Sequence, residues 1–419
     1  MVRAVSNLSA ALPALLAIAA CSSAGGSSAP VELWDSAGVT IVRSHEPTWG
    51  ESDAWRVSAE PQLKIGVLQG AAEYQLVDVT AAARQSDGDI AVVDSGVREV
   101  RLFDRDGTYV RRLGGPGSRP GEFEDPAQVL VAAGDSVIVW DNAFYRASRF
   151  DSAGAFAGAQ SVDRGSTARA IEPPFYPGKA DLLADGQLVV RLVEKSLKGD
   201  PAAASRPRSG ALKVSADLSR IDTLMFFAGI EQVSVDAPWG RTDVVPPLAK
   251  RTVIAVGATS PGICIGDQQG PEIDCFGADA SHTIVRWTPE PAPVTEREIA
   301  IWRDTIVAQY TQKVSRDAAL QVLNRVPNPT ARPPYSRIAL DRVGNLWVES
   351  GRTNGLEPES IEYLVFDPTG ALLGAVALPP IEVLEIGDDY VMGVYRDELE
   401  VQYLQVHELV KDRARTLDR

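Results

Sequence analysis

The chain has 419 residues, a formal net charge of −15 and 45% hydrophobic residues. This length accommodates two or three ordinary domains or one large all-β domain. Because the charge is strongly acidic and no basic stripe offsets it, we expect no nucleic-acid partner; the acidic excess is typical of a surface that keeps a protein soluble.

The chain begins with the pattern of an export signal. Arg3 precedes an almost wholly apolar run over residues 8–20, which is too short to span a bilayer. The sequence Ile18-Ala-Ala-Cys21 resembles the lipobox of bacterial lipoproteins, which implies cleavage before Cys21 and lipidation of its thiol. An ordinary secretory signal with an incidental cysteine is the alternative.

This pattern predicts a location in the cell envelope. We interpret residues 1–20 as a lipoprotein signal peptide and residues 21–30, rich in Ser, Ala and Gly, as a flexible tether. The domain at residues 31–412 is then extracytoplasmic and joined to the membrane by its lipid anchor, on the periplasmic side or at the cell surface. Its acidic charge would hold it off anionic lipid.

A phrase that recurs along the chain predicts repeated β-hairpins. Asp-x-x-Gly begins at Asp35, Asp104, Asp151 and Asp367, each time beside short apolar strands. Such a tetrapeptide is a turn between two antiparallel strands. Hairpins that recur at long intervals are typical of propellers, in which small sheets repeat radially.

The strands group into units of one propeller blade each. Asp104 and Asp151 occupy equivalent turns and lie 47 residues apart, which suits a blade. The predicted units cover residues 79–113, 128–160, 180–227, 252–287, 336–378 and 381–409.

The last unit has three strands and would expose a pairing edge. The N-terminal hairpin at residues 35–44 has no unit of its own, so we expect the strand Val39–Ser44 to complete the last blade. The predicted fold is therefore all-β, a six-bladed antiparallel β-propeller closed by an N-terminal strand.

One stretch resembles a known repeat. Residues 87–107 resemble an NHL repeat, and residues 113–123 look like the glycine-rich crossing between NHL blades, where Phe123 can fill the space between blades. The whole mature chain resembles the six-bladed, TolB-like β-propeller lipoproteins of bacteria. The resemblance implies a fold and a location but no activity.

Two cysteines remain besides the predicted lipidation site. Cys264 and Cys275 flank a Gly-rich segment, and a hairpin centred there would place them opposite each other. In an exported protein such a pair is a candidate disulfide. Buried free thiols are the alternative.

A short helical insertion is predicted at about residues 295–326. Thr295 and Glu298 form a capping box, and apolar residues including Trp302 then follow at helical spacing. A second short helix is expected after Ser315. We expect the pair to cover one side of the propeller; a moving lid is the alternative.

No catalytic constellation and no zinc site is predicted, because the three histidines lie far apart in the sequence. Some six-bladed lactonases instead hold calcium with Asp, Asn and Glu side chains. Here Asp94, Asp141, Asn142 and Glu349 end second strands at equivalent positions. The alternative is that these side chains cap turns.

Three arginines form a candidate binding site. Arg98, Arg146 and Arg352 each follow the second strand of their unit, so their side chains could converge on one face, near Asp94 and Asp141. The forked N–H donors of an arginine guanidinium match the oxygens of carboxylates and phosphates. The alternative is that each arginine pairs with a neighbouring aspartate.

Two functions of different class are compatible with these observations. The first is a non-enzymatic module that binds an envelope protein or a small anionic ligand and needs no cofactor. The second is a hydrolase of lactones or esters that uses calcium held by acidic side chains in the propeller tunnel.

Overall fold

The computed structural model describes residues 29–50, 53–161, 175–183, 185–194, 204–215, 220–257, 259–289, 293–351 and 360–411. The fold is mostly β, with antiparallel sheets and two α-helices among the described residues. The signal peptide, Cys21 and most of the tether lie outside the described residues, so their assignments stay predictions.

The N-terminal half of the chain begins with four short strands and continues with two four-stranded sheets. The first four strands are β1 (Val31–Ser36), β2 (Val39–Ser44), β3 (Arg56–Val57) and β4 (Leu63–Ile65). Sheet A consists of β5 (Val79–Arg84), β6 (Ile90–Asp94), β7 (Glu99–Phe103) and β8 (Tyr109–Gly114). Sheet B consists of β9 (Pro126–Val131), β10 (Val137–Asp141), β11 (Arg146–Phe150) and β12 (Phe156–Ser161). Single 3₁₀ turns lie at Ala72–Tyr74 and Ala133–Asp135.

The middle of the chain contributes to two sheets at once. Its strands are β13 (Phe175–Leu182), β14 (Leu188–Glu194), β15 (Ala204–Ser205), β16 (Arg208–Val214), β17 (Ile221–Ala228), β18 (Gln232–Ala237) and β19 (Gly240–Val244). Strands β13, β14, β16 and β17 form sheet C, whereas β15, β18 and β19 form a separate three-stranded sheet, named the cap sheet below.

The last part of the chain contains three further sheets and the helices. Sheet D has β20 (Val253–Val256), β21 (Ile263–Gly266), β22 (Glu272–Phe276) and β23 (His282–Trp287), and helices α1 (Glu296–Tyr310) and α2 (Arg316–Leu323) follow it. Sheet E has β24 (Arg337–Leu340), β25 (Leu346–Glu349), β26 (Ile361–Phe366) and β27 (Leu372–Leu378). Sheet F has β28 (Glu382–Ile386), β29 (Tyr390–Arg396) and β30 (Gln402–Val410).

The recurring Asp-x-x-Gly turn joins the third and fourth strands of a sheet at three of its four copies, and at Asp35 it joins β1 to β2. In sheet A the Asp104 carboxylate accepts hydrogen bonds from the backbone N–H groups of Asp106 (3.0 Å) and Thr108 (2.8 Å). Gly107 adopts a φ of +81°, which glycine reaches without steric cost. The bond from the N–H group four residues on recurs at Asp151 and Asp367. The hairpins predicted from this phrase are confirmed.

Buried apolar clusters lie between successive sheets. The cluster between sheets A and B contains Phe123, which is fully buried. The Phe123 N–H donates to the carbonyl of Gly115 at 2.9 Å, which folds the crossing segment onto itself. The prediction that this side chain fills the space between two sheets is confirmed.

In neighbouring sheets, the ends at which the second strand turns into the third lie next to each other. The N–H of Val79, at the start of β5, donates to Gln402 Oε1, at the start of β30 (2.7 Å). Arg206 lies between β15 and β16. It donates to the carbonyl of Asp267, between β21 and β22 (2.9 Å). The end at which second strands turn into third strands is called the upper end below.

The strand Val39–Ser44 does not complete the last unit, so that prediction was wrong. β2 instead pairs in parallel with β23 and extends sheet D to six strands, with β1 at the edge. The physical reason is a better fit of the buried face: Val42 is almost fully buried, and Ser44 Oγ accepts a hydrogen bond from the N–H of Leu372 in sheet E (2.9 Å).

Sheet F pairs with a later N-terminal segment. The chain after β2 first follows sheet E, where the N–H of Trp49 donates to the carbonyl of Leu373 (2.8 Å). It then adds β3 and β4 to β30, both antiparallel. Ile65 of β4 is buried in the cluster between sheets A and F. The first described residues therefore contact sheets D, E and F in turn.

We expect Ile65→Ala to lower the free energy of unfolding by about 2–5 kcal/mol, because it removes a buried side chain between two sheets. The matched control is Leu33→Ala in β1, where the side chain is 66% exposed and a change within about 0.5 kcal/mol is expected. Urea unfolding of both variants measures the difference, and equal effects would contradict a role of β4 in closing sheet F.

His407 of β30 binds the connection between β3 and β4. Its ring nitrogens lie 2.8 Å from the carbonyl of Ser58 and 3.1 Å from Gln405 Oε1. Burial lowers the pKa of His407 below its ordinary value of 6.5, and this effect outweighs the Ser58 carbonyl, which favours the protonated ring.

This pKa shift predicts a loss of stability in acid. Below about pH 6.5 the unfolded chain takes up a proton at residue 407 that the folded chain resists, so the free energy of unfolding falls as the pH falls. In His407→Gln the fall between pH 7.5 and 5.5, measured by urea unfolding, should be smaller than in the wild type. An identical fall in both proteins would refute the assignment.

The predicted helical insertion is confirmed and lies on the cap sheet. Thr295 and Glu298 form the capping box, and Glu298 also pairs with Arg332 at 2.5 Å. Trp302 packs into a cluster shared with β18 and β19, and its indole N–H donates to the carbonyl of Val245 (3.2 Å). The helices and cap sheet therefore form one unit at the upper end. None of the described helices is long and apolar enough to cross a membrane.

Candidate functional site

The two predicted aspartates are structural. Asp94 is fully buried and accepts hydrogen bonds from the N–H groups of Val77 (3.1 Å) and Asp78 (3.0 Å), just before β5. Asp141 is equally buried and accepts from the N–H groups that precede β9, including Glu124 at 2.8 Å. Each carboxylate therefore ties the end of a second strand to the start of its own sheet, as in the turn-capping alternative.

The predicted ring of arginines does not form among the described residues. Arg98 pairs with Glu124 at 2.9 Å, and both side chains are about half exposed. Arg146 is buried and donates to the carbonyls of Ser118 (3.0 Å) and Glu122. Both arginines thus bind the crossing segment between sheets A and B rather than a free upper face. Arg352 lies outside the described residues.

The candidate calcium ligands do not fit calcium. Besides the two buried aspartates, Asn142 accepts from the indole N–H of Trp140 (3.0 Å). Glu349 accepts from the hydroxyls of Ser336 (2.7 Å) and Tyr363 (2.8 Å). Each of these oxygens therefore already binds a group of the chain itself. Within the described ranges no group of three or more His, Cys, Asp and Glu side chains is suited to hold a metal.

The structure joins Cys264 and Cys275 in a disulfide. The two residues lie directly opposite each other on β21 and β22, as the hairpin prediction expects. Both side chains face the buried cluster between sheets D and E. The bond therefore links two strands of sheet D behind the face described below.

The structural role of the aspartates is testable. Asp94→Ala should lower the free energy of unfolding by roughly 2–5 kcal/mol, because it leaves the buried Arg101 without the Asp94 carboxylate, 3.5 Å away, and removes the acceptor of two part-buried N–H groups. Arg98→Ala, which removes an exposed ion pair, should cost about 0–1 kcal/mol. Thermal or urea unfolding measures both, and a larger loss in Arg98→Ala would contradict this account.

A groove of about 870 Å³ opens at the upper end between sheets C and D. It exists because sheet D carries two additional strands, so that its outer part extends past β17 of sheet C. Volumes of about 300–1,000 Å³ are usual for small-molecule sites. The groove is lined by Arg43, His45, Phe227, Ala228, Thr252, Ile265, Asp267, Gln269, Gly270, Pro271, Glu272, Asp274, Arg286, Trp287 and Thr288.

Two arginines lie side by side in this groove. Arg43 of β2 and Arg286 of β23 are register partners in the parallel pair, so their side chains share one face of sheet D. Arg286 pairs with Glu272 at 2.5 Å. Arg43 lies over the ring of Trp34 (5.5 Å), and no carboxylate of the described residues is within ion-pair distance of it. Like charges in directly opposed positions are unfavourable. Each arginine also has a glutamate as its register partner on the other side, Glu32 opposite Arg43 and Glu272 opposite Arg286.

An apolar wall stands beside the arginines. Phe227 reaches the groove from sheet C and Ile265 from β21. Both belong to the apolar cluster between sheets C and D. The groove therefore presents apolar surface beside two arginines and three carboxylates, which are those of Asp267, Glu272 and Asp274.

Two of the three histidines also lie on this face, each beside a carboxylate. His45 contacts Glu32 at 3.3 Å. His282 contacts Asp274 at 2.7 Å and stacks on Phe276 with ring centroids 4.5 Å apart. Glu32 and Asp274, which lie near the two arginines, are therefore each paired with a histidine.

Sequence reasoning missed this site. Arg43 and Arg286 are 243 positions apart, and they meet only because β2 joins sheet D. The one local signal was the alternation of charged and apolar residues in β2, β22 and β23, which indicates a strand with one exposed face.

Solved structures resemble this chain in fold. A member of the DUF4221 family from Bacteroides vulgatus matches with a TM-score of 0.53 and 10% identity, covering 86% of this chain and 100% of that chain. A protein of Bacteroides fragilis described as exported matches with a TM-score of 0.48 and 14% identity, covering 89% and 100%. A gluconolactonase from Xanthomonas campestris matches with a TM-score of 0.41 and 12% identity, covering 84% and 100%.

The first of these likenesses supports a propeller-like fold and says nothing about chemistry, because the sequences are so different. No family model and no curated protein matches the chain.

Proposed function

We propose that this protein is a lipid-anchored, extracytoplasmic β-propeller of six blades, related to the NHL and TolB-like propellers, that binds a small anionic ligand without catalysing a reaction. Sheets A to F are the six blades, and β4 completes the last one beside β30. The order of the sheets and the apolar clusters between them support this arrangement.

The paired arginines of the groove are the observation that carries the binding proposal. A carboxylate, sulfonate or phosphate between Arg43 and Arg286 would relieve the repulsion between two adjacent guanidinium groups. Guanidinium groups present forked donors that match such anions. Because Arg286 is already neutralised by Glu272, the ligand's charge would be met mainly by Arg43.

The apolar wall adds a second requirement. Phe227 and Ile265 stand beside the arginines, so a ligand with an apolar body next to its anionic group fills the groove better than an inorganic ion does. The groove is concave, which favours a small molecule over the flat contact of an envelope protein.

The fluorescent anion 8-anilinonaphthalene-1-sulfonate tests the proposal, since it combines a sulfonate with an aromatic body. In the full chain carrying Cys21→Ser, adding Arg43→Gln should weaken its binding about tenfold, as expected when a charged hydrogen bond is lost. The matched control is Arg220→Gln, which removes the same charge from a 73% exposed side chain that pairs with Asp222 at the other end of β17.

The control should bind the probe like the parent protein. Fluorescence titration measures both affinities, and circular dichroism checks that each variant is folded. Equal weakening in the two variants would indicate a general effect of charge, and no weakening in Arg43→Gln would reject the groove as the anion site.

A further inference from the structure

A row of charged side chains crosses the groove on neighbouring strands of sheet D. The register pairs Glu272 of β22 with Arg286 of β23, and Arg286 with Arg43 of β2. Asp267 directly follows β21, the strand on the other side of β22. All four side chains line the groove. The row therefore has carboxylates at its inner end, toward β21, and guanidinium groups at its outer end, toward β2.

The inner end of the row is a carboxylate without an ionic partner among the described residues. Asp267 is exposed, and its carboxylate accepts the N–H of Gln269 at 2.8 Å. Arg206 binds the carbonyl oxygen of Asp267 rather than its carboxylate. The next two members of the row, Glu272 and Arg286, pair with each other at 2.5 Å and so offset their charges.

The outer end of the row is a guanidinium group in the same situation. No carboxylate of the described residues forms an ion pair with Arg43, and Glu32, its register partner on β1, contacts His45 at 3.3 Å. The groove therefore has a negative pole at Asp267 and a positive pole at Arg43. Three strand spacings separate β21 from β2, so the backbones at the two poles lie about 14 Å apart.

The groove between the poles is lined by apolar side chains and by one donor that the chain does not satisfy. Phe227 and Ile265 form the apolar wall. Trp287, at the end of β23, also lines the groove and is 5% exposed. Its indole N–H has no hydrogen-bond partner within the described part of the chain. Because buried donors are nearly always satisfied in folded proteins, this position favours a ligand that brings an acceptor.

We propose that the groove binds a short peptide with free termini, its α-carboxylate at Arg43 and its α-ammonium group at Asp267. Charged hydrogen bonds to both termini are a usual way of recognising the end of a peptide. A lining with carboxylates as well as arginines suits such a zwitterion better than a ligand of one sign. The peptide supplies carbonyl oxygens near Trp287 and places apolar side chains against the wall.

The distance between the poles sets the length of the peptide. Three or four extended residues span about 10–14 Å, which matches the separation of the two strands, whereas a single amino acid carries both charged groups on one carbon. This inference rests on the proposed function, because the α-carboxylate is the anionic group that Arg43 would bind, and it adds the class of ligand.

Tripeptides of one sequence test the proposal. The ligands are Ala-Leu-Ala with free termini, its N-acetylated form and its C-terminal amide, with free leucine as the control for length. Each is titrated by calorimetry into the full chain with Cys21→Ser. We expect acetylation and amidation each to weaken binding at least tenfold, since each removes one of the two charged contacts. Leucine should also bind at least tenfold more weakly, because it cannot reach both poles.

Two variants assign each terminus to its pole. Arg43→Gln should bind the amide and the free peptide alike, and Asp267→Asn should bind the acetylated and the free peptide alike, while asparagine keeps an acceptor for the N–H of Gln269. The matched controls are Arg220→Gln and Asp222→Asn, which remove the same charges from an exposed ion pair. Both controls should keep both preferences.

The other outcomes contradict the inference. If the acetylated peptide or leucine binds within threefold of the free peptide, the ligand is a simple anion or an amino acid. If the amide binds within threefold, or if the preferences persist in Arg43→Gln and Asp267→Asn, the peptide does not bind between these poles. If the sulfonate probe depends on Arg43 while no tripeptide binds, the anion site stands and the peptide inference fails. If neither the probe nor a peptide depends on Arg43, both proposals fail.

Discussion

The parallel pairing of β2 with β23 is the interaction on which the candidate site depends. It extends sheet D beyond its neighbour, so that one face of the outer strands stays uncovered and forms the groove. The same pairing sets Arg43 beside Arg286, because register partners in a parallel pair point to the same side. Its opposite face is buried against sheet E, where Ser44 binds the backbone of Leu372.

The charged residues of this protein divide into two classes by what they contact. Asp94, Asp141 and Arg146 are buried and bind backbone groups, so their charges position the crossings and strand ends. Burying such a group is favourable only when its hydrogen bonds are satisfied. Arg43 is exposed on β2, where it lies over the ring of Trp34 and opposite its register partner Glu32, and no ion pair joins it to a carboxylate of the described residues.

Local features of the sequence predicted what local contacts determine. The Asp-x-x-Gly turns form because an aspartate bonds to the backbone within four residues, as Asp104 does to Thr108. The capping box of Thr295 and Glu298 spans three residues, and the opposed cysteines of β21 and β22 are 11 residues apart across one hairpin. Phe123 was recognisable from its glycine-rich crossing. In each case the interacting groups are close in sequence, so neighbouring residues suffice to specify the geometry.

The tertiary structure decided which distant strands meet. Val39–Ser44, which the sequence predicted as a strand, and Leu63–Ile65, which it did not, are both short strands able to pair with an open edge, and nothing local distinguishes their partners. The choice depends on whole faces: Val42 finds a buried position against sheet E, while Ile65 fills the cluster between sheets A and F. A backbone edge accepts almost any strand, and only the packing of side chains on both faces selects one. The groove and its arginine pair follow from that selection, which is why the sequence by itself determined the hairpins and the helices but not the site.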